Sequence, residues 1–508
     1  MATEDIILAI DQGTTGTTAL LMAPNGAVLG RSNCEFRQHF PGEGWVEHDP
    51  MEIWESVSKA IQQALVEASC RPEAIAAIGL TNQRETALVW ERSSGRPIHH
   101  AIVWQDRRTS QRCDVLLAAG AEPEIQRLTG LVVDPYFSCT KVEWLLDNVP
   151  GARSRAERGG LCFGTVDSYL LWKLSGSGGT SGLHVTDVTN ASRTGLMDLA
   201  RLDWSQPMLD LFRVPRAMLP RIVPCSGQVA TTRSVPGLPD GIPITGVAGD
   251  QQAALFGQAC FEVGEAKCTY GTGAFVLVQT GPKLVRSRSR LISTVAWQLG
   301  DEVSYAIEGS AFVAGAAIQW LRDGLRVLPD AASSATLAEA VPSSGGVLFV
   351  PALAGLGAPY WDPDARGAIT GIHRGTTLAH IVRATLEGIG FQVDDLLQAM
   401  EQDLAHPLTR LRVDGGAAAN DILLQFQADL SGLCVDRPEL LESTARGAAM
   451  LAGLGVGLFT SPRQAAQMIR TEKSFMVHMG ATERLSRRRE WQEAIRRVSR
   501  RVTERDRS

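Results

Sequence analysis

Ile6–Met22 reads IILAIDQGTTGTTALLM: an apolar run stops at Asp11, gives way to glycine and threonine, and resumes at Ala19. The pattern predicts strand, polar turn, strand. Glycine leaves the backbone free to approach an anion closely, and Thr14, Thr15 and Thr17 add hydroxyl donors beside N–H groups that can wrap a phosphate. A carboxylate at the strand end, Asp11, can hold hydrated Mg2+. The stretch is not a Walker A loop, because the GxxxxGKS/T spacing and its lysine are missing and a strand follows where a helix belongs. Taken alone it is equally an ordinary hairpin with Gly and Thr in its turn.

A second copy of the device gives the first its weight. Ala266–Gln279 (AKCTYGTGAFVLVQ) sets Gly271, Thr272 and Gly273 between two strand-like runs. Two phosphate hairpins, roughly 260 residues apart, predict a duplicated ATPase domain with the nucleotide between the halves. Between them Ile242–Gly257 (IPITGVAGDQQAALFG) predicts a strand ending at Gly249-Asp250 and a helix over Gln251–Leu255. An aspartate at the carboxyl end of a strand, facing a domain crevice, is where open α/β folds place chemistry. Leu411–Asn420 (LRVDGGAAAN) begins as a strand and runs into a helical segment whose N-terminus suits an adenosine or a phosphate.

At 508 residues the chain exceeds what one hydrophobic core supports, so at least two large domains are expected. A net charge of −6 and a pI near 5.9 give no general affinity for nucleic acid or anionic membrane. No apolar run approaches the ~20 residues of a membrane helix, and MATEDIILAIDQG enters strand without a basic leader, so a cytoplasmic protein without membrane insertion is expected. The nine cysteines are scattered and never form a CxxC pair, which favours reduced thiols over a disulfide framework or zinc site.

The rest of the chain alternates as an α/β protein does. Asn25-Gly26 predicts a tight turn into a strand at Val28–Arg31. Asp49, Pro50 and Glu52 predict a helix start with Asp49 as N-cap and a capping-box-like role for Glu52. Ile53, Val57, Ala60, Ile61, Ala64 and Leu65 then fall on one face. Strands are expected at Ile75–Leu80 and Ile102–Gln105, each with a polar carboxyl end. Leu174–Gly182 (LSGSGGTSG) reads as a flexible surface loop, Val235–Gly241 as a second loop, and the arginine-rich stretch Arg484–Ser508, with Arg487, Arg488, Arg489, Arg496, Arg497, Arg500 and Arg501, as a solvated surface helix. A boundary between the hairpins divides the chain into 1–253, with the first hairpin and the substrate site, and 254–508, with the second hairpin and the adenosine site.

Along its whole length the sequence resembles the FGGY carbohydrate kinases, in particular their glycerol-phosphorylating members. The resemblance is carried by Asp11–Thr15 (DQGTT), Gly44–Trp54 (GWVEHDPMEIW), Thr81–Thr86 (TNQRET), Asp134–Ser138 (DPYFS), Gly249–Gly257 (GDQQAALFG), Tyr270–Gly273 (YGTG) and Gly355–Asp362 (GLGAPYWD), with Tyr136–Asn148 and Gly367–Glu387 resembling the two family signatures. It implies two ribonuclease H-like domains, as in actin and hexokinase, closing on ATP and substrate. It implies ATP-dependent phosphorylation of glycerol to sn-glycerol 3-phosphate, with Asp250 as general base and Arg84, Glu85, Trp104, Tyr136, Asp250, Gln251 and Phe275 around the polyol. Thr14, Thr15, Gly16 and Thr272 would clasp the phosphates, Gly315, Gln319, Gly416 and Asn420 the rest of the nucleotide, and Asp11 with Asp250 would reach Mg2+. A homo-oligomer, dimer or tetramer, goes with the family.

Three points touch chemistry or depart from the pattern. Arg84 and Glu85 are neighbours, so both reach one ligand only if the strand has ended there. Thr18 stands where the resemblance implies an arginine facing the phosphates, which removes a cation from that position. Val235–Gly241 has no Arg or Lys and Phe475–Glu483 differs from the regulator-binding segment of enteric relatives, so neither fructose 1,6-bisphosphate nor a sugar-transport regulator is expected to control the protein.

Overall fold

A computed structural model describes residues 5–176 and 182–499; the centre of the expected loop, Ser177–Ser181, and Arg500 and Arg501 lie outside the described residues. A thirteen-stranded sheet organises the chain. Its strands are β1 (Ile6–Gln12), β2 (Gly16–Met22), β3 (Val28–Glu35), β4 (Ile75–Asn82), β5 (Ser226–Thr231), β6 (Pro243–Gly249), β7 (Glu265–Tyr270), β8 (Ala274–Gly281), β9 (Ile292–Leu299), β10 (Glu302–Ala311), β11 (Arg410–Asp414), β12 (Val435–Pro438) and β13 (Thr471–Phe475). In space they run β13-β12-β11-β7-β8-β10-β9-β5-β6-β4-β1-β2-β3.

The order is a duplication. In the first half β1 pairs antiparallel with β2 and β2 with β3, β4 lies parallel to β1 on its other side, β6 parallel to β4, and β5 returns antiparallel. The second half repeats this with β7, β8, β10, β11, β12 and β13, adding β9 on the outer side of β10. The two halves join through one register pair, Ser226 opposite Leu299. The expected pair of ribonuclease H-like sheets is therefore present, laid edge to edge.

Parallel strands covered on both faces read as continuous apolar runs, and Ile7–Ile10 are wholly buried. Helix α1 (Pro50–Glu67) covers β2 and β3 with Ile53, Val57, Ala60, Ile61, Ala64 and Leu65, the expected face. Asp49 caps it by accepting from Met51 N–H at 2.8 Å. Glu52 does not complete a capping box: its carboxylate lies 3.4 Å from His39 Nε2, a closer attraction for a charged group than the Asp49 amide.

The helix that bears the candidate base is α2 (Asp250–Gly257). On the far side of the second half run α3 (Leu378–Leu404) and α4 (Asp421–Ser431). Helix α5 (Ser443–Gly455) returns to the first half, where Ala445, Ala449 and Ala452 share a core with Ile7, Ala9 and Ala77. Its contact with α2 is so close that a Cβ on Gly447 would stand 1.8 Å from Ala253 O. Only glycine permits that crossing, and it fixes the height of α2 over the sheet.

Two expectations are corrected. Ile102–Gln105 is not a strand of the sheet; only Ala101–Ile102 pairs, with Glu47–His48, because Asp106 draws the chain into a turn by accepting from Val46 N–H (2.7 Å) and Arg108 N–H (2.9 Å). The C-terminal helix α6 (Ala481–Val498) is not simply solvated. It buries Trp491, Ala494 and Ile495, Arg488 grips Asp394 through both oxygens (2.8 and 2.7 Å), and Arg487 reaches Glu387 of α3 at 2.5 Å. Among the described residues no helix is long and apolar enough to cross a membrane.

Candidate active site

β4 and β6 end side by side, and their carboxyl ends carry the candidate chemistry. Asn82 and Asn190 exchange amide hydrogen bonds (3.1 and 3.0 Å), and Thr189 Oγ1 accepts from Gly249 N–H at 2.9 Å, so both strand ends are tied to one buried polar cluster. After Asn82 the chain leaves the sheet, and Glu85 sits at φ 59°. This solves the problem of adjacent charged neighbours: the left-handed residue turns Glu85 to the same side as Arg84. Holding a non-glycine residue there costs of order 1 kcal/mol, supplied by the packing around it.

Arg84, Glu85 and Asp250 are brought together as expected. Arg84 Nε lies 3.1 Å from Asp250 Oδ1 and 3.8 Å from Glu85 Oε1. Two residues that sequence reasoning missed complete the arrangement. Glu308, on β10 of the other half, accepts from Arg84 Nη1 (2.5 Å) and Nη2 (3.0 Å). Arg193 donates to Glu85 Oε1 (2.7 Å) and Glu308 Oε1 (2.9 Å). Gln252 Oε1 takes a further Arg84 Nη1 hydrogen at 3.1 Å. Of the five N–H groups of Arg84, one on Nη2 is left without a partner among the described residues. Glu85 Oε2 is likewise open.

The electrostatics follow from this packing. Burial disfavours ionised Glu308, but Arg193 and Arg84 outweigh it and hold the carboxyl at about 2. For Glu85 and Asp250 burial prevails, and both carboxyls sit above the usual carboxylate range despite Arg84, with Arg193 opposing at Glu85 and Lys267 at Asp250. Lys267, buried on β7 and unremarked in the sequence reading, donates to Gln251 Oε1 and to Thr269 Oγ1, the latter at 2.9 Å. Burial lowers its pKa.

The aromatic wall also assembles. Trp104 meets Tyr136 and Phe275 edge-on, with ring centroids 5.6 and 6.5 Å apart, so residues from both halves touch. Lys141 Nζ fixes the Tyr136 loop by donating to the carbonyls of Pro135 (2.5 Å), Tyr136 (2.6 Å) and Phe137 (3.2 Å).

The expected nucleotide residues fall into two groups. Thr272, Gly315, Gln319, Gly416 and Asn420 line a single cavity of about 670 Å³, closed on one side by Leu386 and Ile389 of α3. Its volume and mixed lining suit a nucleotide. Asn420 caps α4 by accepting from Leu423 N–H at 3.2 Å. Thr14, Thr15 and Gly16 are not among that lining. The Thr14 hydroxyl accepts from Trp104 Nε1 at 3.0 Å, which draws the first hairpin to the aromatic wall. Thr18, in place of the implied arginine, accepts from Asn33 Nδ2 at 2.9 Å.

Asp11 lies beneath the first hairpin, opposite Thr18. Burial, then Asp250 and Glu442, push its carboxyl up to about 7. Asp11 and Asp250 supply hard oxygen donors of the kind a hydrated divalent cation takes, so their chemistry fits Mg2+ held through water. Among the described residues no three His, Cys, Asp or Glu side chains converge on one metal position.

Duplicated half-sheets, each with a glycine hairpin, define a two-domain α/β protein of the kinase type. The chain belongs to the FGGY family of carbohydrate kinases, the family's N-terminal domain model matching residues 6–257 and its C-terminal domain model residues 266–456. It is 53% identical over 494 residues to a glycerol kinase of Myxococcus xanthus, covering 97% of this chain and 99% of that protein. A glycerol kinase of Koribacter versatilis is 54% identical over 493 residues, with 97% and 98% covered. The crystal structure of Plasmodium falciparum glycerol kinase with ADP superposes with a TM-score of 0.91 at 36% identity, covering 97% of this chain and 98% of that one. A ligand-bound xylulose kinase from Lactobacillus acidophilus shares the fold at a TM-score of 0.83 and 21% identity.

Proposed function

We propose that this protein transfers the γ-phosphoryl group of ATP to glycerol, yielding sn-glycerol 3-phosphate, with Asp250 as general base. The observation that carries the reading is the position of Asp250: directly after β6, at the first residue of α2, with the Nε of Arg84 3.1 Å from its Oδ1. The likeness to glycerol kinases over nearly the whole chain supports glycerol as the acceptor.

Open groups match a small triol. The last Nη2 hydrogen of Arg84 donates to one hydroxyl, Glu85 Oε2 accepts from a hydroxyl, Gln251 adds its amide, and Trp104, Tyr136 and Phe275 cover the carbon edge. Asp250 Oδ1 is occupied by Gln251 N–H (2.7 Å) and Arg84, so its second oxygen accepts the proton of the reacting hydroxyl. Because phosphoryl transfer passes through a loose transition state, that proton leaves late and a carboxylate suffices as base.

The cavity lined by Thr272, Gly315, Gln319, Gly416 and Asn420 takes the nucleotide. Closure of the halves brings Thr14, Thr15 and Gly16 onto the terminal phosphates and excludes water, which competes with glycerol as acceptor. Asp11 and Asp250 would hold Mg2+, largely through water, and the ion supplies charge neutralisation on the phosphates. Lys267, buried on β7 and hydrogen-bonded to Gln251, supplies a basic group close to Asp250.

The test is coupled ADP production with Mg-ATP, comparing glycerol, xylulose, ribulose and no acceptor. Glycerol-dependent turnover supports the proposal; turnover with a pentulose alone, or equal turnover without acceptor, refutes it.

A further inference from the structure

Arg193 takes no place among the expected site residues, yet the clamp depends on it. It is wholly buried, and its Nε and Nη2 bind the two carboxylates that frame Arg84. Its Nη1 is buried with no hydrogen-bond partner. The rings of Tyr136 and Phe137 stand 5.9 and 5.5 Å from its guanidinium carbon, so the cation is stacked into the wall of the polyol pocket. Four charged side chains, Arg84, Glu85, Arg193 and Glu308, thus alternate in sign around a buried ring, none more than 3% exposed.

A ring of this kind is a poor stabilising device, because desolvation consumes most of the attraction and apolar residues of similar volume serve stability as well. What it does supply is direction. Arg193 occupies Glu85 Oε1 and leaves Oε2 open; Glu308 occupies both Nη atoms of Arg84 and leaves one hydrogen. Without Arg193, Glu85 is free to swing onto Arg84 Nε, already only 3.8 Å away, which withdraws its acceptor oxygen from the substrate and competes with Asp250 for that nitrogen.

We propose that Arg193 is a positioning residue for polyol recognition: by pinning Glu85 Oε1 and sharing Glu308 with Arg84, it keeps one carboxylate oxygen and one guanidinium hydrogen directed at the substrate hydroxyls. The lining of the nucleotide cavity does not include Arg193, so the effect is confined to the acceptor.

This inference rests on the glycerol reading above. The experiment is steady-state kinetics of the full chain, Arg193→Met and Arg193→Lys, with glycerol and ATP varied separately. Loss of one charge-assisted contact predicts a glycerol KM raised about 10- to 100-fold in Arg193→Met, with kcat within about threefold and the ATP KM unchanged. Arg193→Lys, which keeps the charge and one contact, should recover part of the glycerol KM. If Arg193→Met does not fold, Arg193→Lys alone still predicts a raised glycerol KM at unchanged ATP KM. An unchanged glycerol KM in the variants, or an equal loss in kcat and both KM values, overturns the inference. A wild-type chain with no glycerol-dependent turnover overturns the function and this inference together.

Discussion

In the first hairpin the three-residue loop Gly13–Thr15 is closed by Gly13 N–H to Gly16 O at 2.9 Å; in the second, Gly271–Gly273 is closed by Gly271 N–H to Gly273 O at the same distance. Both stand on strands that pair in the same sense with their neighbours. Their surroundings differ. The first loop sits over Asp11 and its Thr14 hydroxyl accepts from Trp104, whereas the second sits over Thr269, held by Lys267, and lines the cavity of about 670 Å³. Duplication has thus given two copies of one backbone device, and the side chains beneath have assigned the carboxylate to one and the cation to the other. The steric fit differs as well. A Cβ on Gly273 would stand 2.6 Å from Ala311 O, while one on Gly13 would stand 3.3 Å from Gly16 O. Gly273 is thus locked against the end of β10, whereas the Gly13 contact lies within its own hairpin, whose carbonyls at Gly13 and Thr14 are held by Gln83 and Gln38.

The largest effect is expected between the hairpins. Asp250→Asn keeps both loops and removes the proposed base, so kcat should fall about a thousandfold while ATP binding, followed by fluorescence titration, stays intact. A small loss would mean the hairpins alone carry the rate.

Next comes the contrast in lock. Gly273→Ala must displace backbone, at a cost of about 1–3 kcal/mol, and should raise the ATP KM about tenfold or more. Gly13→Ala should change it by no more than a few-fold. Equal effects would dissolve the distinction between the two glycines.

Trp104→Phe tests the tether of the first hairpin. Loss of the 3.0 Å bond to Thr14, worth about 1 kcal/mol, should raise the glycerol KM about fivefold and leave the ATP KM unchanged.

The smallest effect on catalysis is expected far from both loops. Arg488→Ala breaks the paired contact with Asp394 and should lower stability by about 1–3 kcal/mol in chemical denaturation, with kcat unaffected.

How much of this was legible follows from sequence distance. The hairpins, the aspartate that follows β6 and the helix over Pro50–Glu67 are local patterns, in which residues a few positions apart declare strand, loop or helix. Glu308 and Arg193 were not legible. A lone glutamate in the apolar strand YAIEGSA, and an arginine in VTNASRTG, acquire meaning only from partners 108 to 224 residues away. The signal that was present is the charge itself: Glu308 interrupts a run that is otherwise free of charge, and a buried charge demands a counter-charge. Lys267 in EAKCTYGTG carries the same warning. On α6 the arginine-rich composition masked Trp491, Ala494, Ile495 and Val498, whose spacing of three, four and seven marks one packed face. The split of the nucleotide residues into a cavity group and a hairpin group depends on the relative placement of two half-sheets, which no local pattern encodes.

The most direct test of the two-hairpin account is amide hydrogen exchange at Gly13–Thr15 and Gly271–Gly273 with a non-hydrolysable ATP analogue, with and without glycerol. The account predicts that the analogue alone protects the second loop, and that the first becomes protected only when glycerol is also present. Protection of both loops by the analogue alone, or of neither, would contradict it.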